Sequence, residues 1–379
     1  MRIEQIRWTK SQGWIPLTPQ KLGSEAQLVL AFGATSIIKE QKPVGMIKAM
    51  YPKAIIFGCS TSGEIQGLQV TDESLTGTAI HFENARIAGA QINLAQVQNS
   101  FDAGKQLAGM LDHTDLVHVI VLSDGLAVNG SNLVNGLVQH LPGNVTVSGG
   151  MAGDGSNFKE TYILWKDSIE KNAIAILGIY GKRIKIGFGS LGGWDPFGPV
   201  RLITRSKGNV LYELDGLSAL DLYKKYLGEH ANELPASGLL FPLLLRTNKD
   251  DVGVVRTILA INEDENSMTF AGDVPQGAYT QLMKANFDRL IDGASGAAKT
   301  SFQAIGSKPP DLALLISCVG RKLVLKQRVE EEVEGVSEVL GDKTALTGFY
   351  SYGEISPFSP GLKCELHNQT MTITTFLEE

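Results

Sequence analysis

The chain has 379 residues, with 34 basic and 40 acidic side chains, a formal net charge of −6 and 43% hydrophobic content; that is room for more than one core at ordinary globular composition. Its longest apolar runs, 239–245 and 312–316, fall far short of the roughly 20 residues that span a bilayer, and Lys and Arg form no stripe that would track phosphates, which argues against a membrane span and against nucleic acid as a partner. Cys59, Cys318 and Cys364 are too few for a disulfide framework and include no CxxC pair, and no apolar leader opens the chain, so it reads as cytoplasmic.

Residues 1–25 hold Trp8, Trp14, Pro16 and Pro19 with little periodicity and read as an arm or edge strand. A strand–helix–strand unit follows: an apolar strand at 28–32, a helical pattern at 37–50 broken by Pro43, and a strand at 54–57. Alternation at 69–82 and 85–92 predicts two strands paired with each other. The unit recurs as a strand at 118–122, Asn129 as N-cap, a helix burying Leu133, Val134, Leu137, Val138 and Leu141, and a strand at 145–147. Further strands are expected at 163–165, 173–180 and 184–188. The glycine-rich stretch 189–199 reads as a lid or rim, and 200–204 with 209–214 as a hairpin.

Ser218 caps a helix carrying Leu220, Tyr223 and Leu227, which puts a boundary near 215–216 and divides the chain into an arm 1–25 and domains 26–215 and 216–379. Strands at 256–261 and 267–270 flank a polar turn. A helix is expected through Tyr279, Leu282, Met283, Leu290 and Ile291, and another over 296–305. The unit then returns: a strand at 312–317, a helix with Val329, Val333, Val336 and Leu340 inward and Glu330, Glu331 and Glu332 on its solvated face, and a strand at 345–346. The tail, 362–366 and 371–375, reads as a hairpin turning at His367, Asn368 and Gln369. The fold class is α/β, with repeated strand–helix–strand units forming mixed sheets flanked by helices in two domains.

Each unit ends in a related glycine stretch: Gly58-Cys59-Ser60-Thr61-Ser62-Gly63-Glu64-Ile65, Ser148-Gly149-Gly150-Met151-Ala152-Gly153-Asp154, and Gly348-Phe349-Tyr350-Ser351-Tyr352-Gly353-Glu354-Ile355. Aligned on the second glycine, Glu64, Asp154 and Glu354 coincide. Small residues after a buried strand turn backbone N–H groups toward an anion. Gly58, Ser60, Ser62, Gly63, Glu64, Gly149, Gly150, Asp154, Tyr350, Tyr352, Gly353 and Glu354 are therefore the candidate ligand-binding set. The three acids either accept the N–H groups of their own turns or bind a ligand amine, and the tyrosines either bind or pack. Arg321 is a candidate bidentate partner for a carboxylate, or else a surface ion pair.

Cys59, Cys318 and Ser60 keep a hydrolase reading open, although no base is cued nearby and the Gly-x-Ser-x-Gly elbow is absent; a ligand-free interaction scaffold is a third reading. The six histidines show no HxxxH or HExxH spacing, so no metal is predicted from spacing. A single imidazole in an apolar pocket is enough to hold haem. His367 is the preferred residue for that role, set against service as a hairpin-turn residue.

The first two glycine stretches resemble the FIST N domain. Ser317-Cys318-Val319-Gly320-Arg321, the third glycine stretch and Leu366-His367-Asn368-Gln369-Thr370 resemble the FIST C domain. The resemblance implies a cytoplasmic sensory module for signal transduction that binds a small molecule such as an amino acid. A stand-alone subgroup is similar to haem-containing nitric-oxide sensors that act on histidine kinases or cyclic-di-GMP enzymes. With no kinase or cyclase segment in sight, the chain looks like the stand-alone form, which implies a signalling partner in trans and leaves haem open as a cofactor.

Overall fold

The computed structural model describes residues 1–15, 22–248, 253–357 and 363–379. Its plan is set by three parallel strand pairs: Leu28–Ala34 with Ile55–Thr61, Leu116–Ser123 with Thr146–Met151, and Leu312–Cys318 with Ala345–Ser351. These strands are near-continuous runs of apolar and small residues because helices cover one face of each pair and another sheet covers the other. Each pair forms the middle of its own sheet of six or seven described strands.

The sheets are woven into a ring. After the second strand of each pair the chain leaves for a neighbouring sheet, adds a two-stranded hairpin there, and returns to its own sheet beside the first strand of the pair. Glu64–Gln66 with Gln69–Thr71 joins the third sheet, against Ala345–Ser351. Ile163–Trp165 with Ser168–Glu170 joins the first, against Ile55–Thr61. Gly353–Pro357 with Cys364–His367 joins the second, against Thr146–Met151. The returning strands are Ser74–His81, Ala173–Tyr180 and Met371–Glu378. Each is flanked in turn by the strand that opens its repeat: Arg2–Thr9, Arg86–Asn93 and Ile184–Leu191. Three repeats of one plan thus make the body. An eight-stranded sheet built from Trp194–Lys207 to Tyr279–Ala285 is inserted in the third, between its opening strand and the helix Phe287–Ala304.

The mixed α/β class and the repeated unit stand, with several corrections of detail. Arg2–Thr9 is the opening strand of the first repeat. The strands Ser74–His81 and Arg86–Asn93 lie in different sheets, because each pairs within its own repeat. Pro43 begins a helix, Lys42–Met50, where its missing N–H costs nothing. The supposed lid at 189–199 is the end of one strand and the start of another, with Gly192 and Gly193 between them. Tyr279–Ala285 is a strand whose alternating burial was mistaken for a helical face, and the helix starts only after Asn286, which caps it. The two tail strands do not pair with each other; the start of the expected hairpin at 362, like Pro16 and Pro19, lies outside the described residues.

Candidate functional site

The three glycine stretches meet where the hairpins cross between sheets. Ser62 N–H donates to Tyr350 O at 2.8 Å, Tyr352 N–H to Met151 O at 3.2 Å, and Gly153 N–H to Ser60 O at 2.9 Å, which closes a cycle of backbone bonds through all three repeats. The cycle fixes the true alignment of the copies. Gly58, Gly149 and Gly348 each lie where a Cβ would fall 1.7, 1.9 and 1.8 Å from the carbonyl oxygen of Ala31, Val121 and Leu315. Gly149 is thus the counterpart of Gly58 and Gly348, and the middle copy slides by one residue from the alignment on the second glycine. Asp154 then matches Gly63 and Gly353, and it does different work: it accepts from the N–H groups of Lys159 and Glu160 at 3.4 and 3.3 Å.

Glu64 and Glu354 are true counterparts. Glu64 accepts from Thr61 Oγ1 at 2.5 Å and from the N–H and hydroxyl of Ser74 at 3.2 and 2.6 Å. Glu354 accepts from Ser351 Oγ at 2.7 Å and from the N–H and hydroxyl of Thr370 at 3.1 and 3.0 Å. Both tie the start of a crossing hairpin to the strand that follows it. Burial pushes their carboxyls up to about 7 and about 8, against the hydrogen bonds that pull them down.

Arg321 is wholly buried. Its Nε and Nη2 donate to Glu332 Oε2 at 3.0 and 2.7 Å, while Nη1 and Nη2 also reach Gly192 O and Leu290 O. Glu332 is buried with it, not solvated as expected, and accepts from Tyr350 OH at 2.6 Å and Ser317 Oγ at 3.1 Å. Every lone pair is used, as a buried ion pair requires. Tyr352 stacks on Phe158 at 4.4 Å and donates its hydroxyl to Gly155 O.

Ser60 Oγ donates to Gly153 O and accepts from Tyr162 N–H, and burial drives the thiols of Cys59 and Cys318 well above their ordinary range. Neither thiol is poised as a nucleophile.

Two large cavities open among the described residues. A polar one of about 570 Å³ is lined by Ser62, Gly63, Glu64 and Asp154 together with Lys39 and Asp72. It gathers four of the expected site residues; Gly58, Ser60, Gly149, Gly150, Arg321, Tyr350, Tyr352, Gly353 and Glu354 are outside its lining. The larger, about 860 Å³, lies between the helix Gly130–His140, the inserted sheet and the strand Cys364–His367. Its wall is apolar at Val134, Leu191, Leu245 and Val254, polar at Ser131, Asn135 and Thr247, and charged at Arg246, Arg256, Asp273 and Glu365.

Arg256 is 6% exposed, and the reading of the sequence missed it. Its Nε donates to Asp273 O at 3.3 Å and its Nη1 to Leu366 O and Val255 O at 2.9 and 3.3 Å. Burial lowers its pKa to about 10, opposed by Glu365 and Asp273, so it stays charged at neutral pH. The signal available was an arginine inside the β-branched run Val254-Val255-Arg256-Thr257-Ile258.

Haem does not fit the residues present. None of the six histidines lines either cavity. His367 is buried with Nε2–H donating to Ser356 O at 2.7 Å, and burial lowers its pKa to about 4. His118 is held by Thr146 and Ser148 through both ring nitrogens.

The FIST N domain matches residues 27–217 and the FIST C domain residues 219–357. The chain belongs to the FIST family. In this FIST protein the N match covers most of the first two repeats and the start of the third, and the C match covers the rest of the insert and most of what remains. The larger cavity takes Ser131, Val134 and Leu191 from the first match and Leu245, Arg256 and Asp273 from the second. An uncharacterized protein of Methanocaldococcus jannaschii is 26% identical over 202 residues, 50% of this chain and 38% of that relative's length. Among solved structures, a cyanuric acid hydrolase from A. caulinodans aligns over 100% of this chain and 99% of its own at 8% identity and a TM-score of 0.37. A chorismatase aligns over 99% and 98% at 7% identity and a TM-score of 0.35. Both scores are too low to bear on the fold or on activity. No helix among the described residues is long and apolar enough to cross a membrane.

Proposed function

We propose that this FIST protein senses a small molecule bound in the cavity of about 860 Å³ and passes the change to a separate signalling protein, such as a histidine kinase or a cyclic-di-GMP enzyme. The observation that carries this reading is that the two family matches and the strand Cys364–His367 all contribute to one cavity wall. A ligand there touches the inserted sheet and the second sheet of the ring at once, so it favours whichever relative placement gives the better fit. The seam that would carry the shift continues from this strand: Gln369 Nε2 donates to Leu239 O and Thr257 Oγ1, and Trp194 Nε1 donates to Gln369 O. No imidazole faces the cavity, so the proposed ligand is a metabolite and not haem.

The test is a thermal melt of the full chain against a panel of metabolites. A ligand present at 100 times its Kd stabilises by about 2.7 kcal/mol, a clear shift in Tm. A broad panel that moves the melt nowhere defeats the sensor reading and leaves an interaction scaffold in its place.

A further inference from the structure

We infer that Arg256 is the anchor for an oxyanion, so that the molecule held in the larger cavity is a small carboxylate or phosphate with an apolar body. The inference rests on the sensing role proposed above and specifies the chemistry of that same cavity. A guanidinium carries five N–H donors. In Arg256, Nε and Nη1 are spent on three backbone carbonyls, and Nη2 has no acceptor among the described residues. No carboxylate among them comes within ion-pair distance of the guanidinium. Taking an arginine out of water and giving it only neutral acceptors is costly, and the cost is recovered when an anion completes the pair.

The three carbonyl bonds hold the guanidinium plane in place, so an incoming oxyanion meets a preset donor rather than a mobile chain. Ser131 lines the same wall. Its hydroxyl oxygen accepts from Asp273 N–H at 3.4 Å, and its proton has no acceptor among the described residues, which makes it a second donor on that side. Gly272 keeps the approach open: a Cβ there would fall 2.9 Å from each of Arg256 Nε, Leu366 Cδ2 and Ser131 Oγ. The acids on the wall are Asp273, engaged by Asn129 Nδ2 at 2.8 Å, and Glu365. They sustain the charge of the arginine without pairing with it. The apolar side chains Val134, Leu191, Leu245 and Val254 suit a hydrocarbon body rather than a bare ion.

The experiment labels the full chain with ¹⁵N-arginine, assigns Arg256 by its loss in Arg256→Lys, and titrates acetate, inorganic phosphate and neutral acetamide while following the Nε resonance and the Tm. Acetate, phosphate or both should move the Arg256 signal saturably, with acetamide inert, and the tighter of the two anions tells a carboxylate site from a phosphate site. Arg256→Lys, which keeps charge but loses the fork, should weaken that binding roughly tenfold, and Ser131→Ala, a mild change at the wall, should weaken it by a smaller factor with the fold intact by circular dichroism. An Arg256 signal that no anion moves, or that acetamide moves equally, overturns the anchor. If neutral metabolites still raise the Tm of the unmodified chain, the sensing role survives that failure; if nothing raises it, both fall.

Discussion

Glu354 is fully buried and held by one serine and one threonine, and that makes the stability of the protein depend on its proton. Its carboxyl is raised by burial from the ordinary 4.5 to about 8. The folded state therefore keeps a proton that the unfolded chain releases, so the favourable contribution is complete below pH 4.5 and is lost as pH rises to about 8. Glu64, raised to about 7, adds to the same slope in the same direction. Glu354→Gln stays neutral at every pH, retains an acceptor oxygen for Thr370, and offers an amide proton to Ser351. Its Tm should change less than that of the unmodified chain between pH 5 and 8 and should match or exceed it at the upper end, a difference on the order of a few kcal/mol across the window. Parallel Tm profiles would show that Glu354 is ionised in the fold after all. Arg321 and Glu332 contrast with this arrangement: there the buried acid has a cation, the pair joins the helices Val319–Leu325 and Val329–Leu340, and Ser317 and Tyr350 tie Glu332 to the third sheet.

At the level of elements, the parallel pairs depend on three glycines that let one strand approach the carbonyl of its neighbour. Alanine at Gly58, Gly149 or Gly348 places a methyl within 1.7 to 1.9 Å of a backbone oxygen that cannot rotate away, so each change should cost about 3 kcal/mol or more in chemical denaturation. Gly109 has open space around its Cβ position and ends a helix; alanine there should be neutral or stabilising by up to about 1 kcal/mol. Equal losses at all four sites would mean that glycine matters here for some reason other than close approach. Gly58 and Gly348 helped make the repeat legible in the sequence, because close backbone approach leaves a residue-level mark, whereas the middle copy was matched through Gly153 and so fell one residue out of register. The opening strands share no common mark: Arg2–Thr9 holds no glycine, Gly89 in Arg86–Asn93 approaches a strand carbonyl, and Gly187 and Gly189 in Ile184–Leu191 approach carbonyls of a helix; the inserted sheet also pulls the third repeat apart, so the full length of the unit could be read only from pairing. Glu332 was legible and misjudged: Val329, Glu332, Val333 and Val336 follow the i, i+3, i+4, i+7 pattern of one buried face, and the neighbouring acids hid it. Arg256 was obscured in the same way by its apolar neighbours, since type alone does not tell a strand arginine turned to solvent from one turned inward.

At the scale of the molecule, the ring of exchanged hairpins ties the two family matches into one folding unit. The region matched by FIST N leaves its own Glu64–Gln66 hairpin on the third sheet, whose central strands belong to the FIST C match and the tail, and its second sheet takes its last two strands from Gly353–Pro357 and Cys364–His367. A chain cut after residue 217 would expose the edge of Thr146–Met151, strip the hairpin of Glu64–Gln66 and Gln69–Thr71 from Ala345–Ser351, and leave Ile184–Leu191 without its partner strand. Such open, apolar edges seek other chains. Residues 1–217 expressed alone should therefore aggregate or melt without a sharp transition, and co-expression with 218–379 should recover a soluble one-to-one complex by size-exclusion chromatography. The intact chain should unfold in a single transition, because two of the three sheets of the ring draw strands from both parts. A monomeric 1–217 fragment with a cooperative melt would show that the exchanged hairpins decorate an N-terminal domain that is stable by itself. The coupling proposed for ligand binding would then have to pass through side-chain contacts at the cavity wall, since an optional backbone weave could not transmit it.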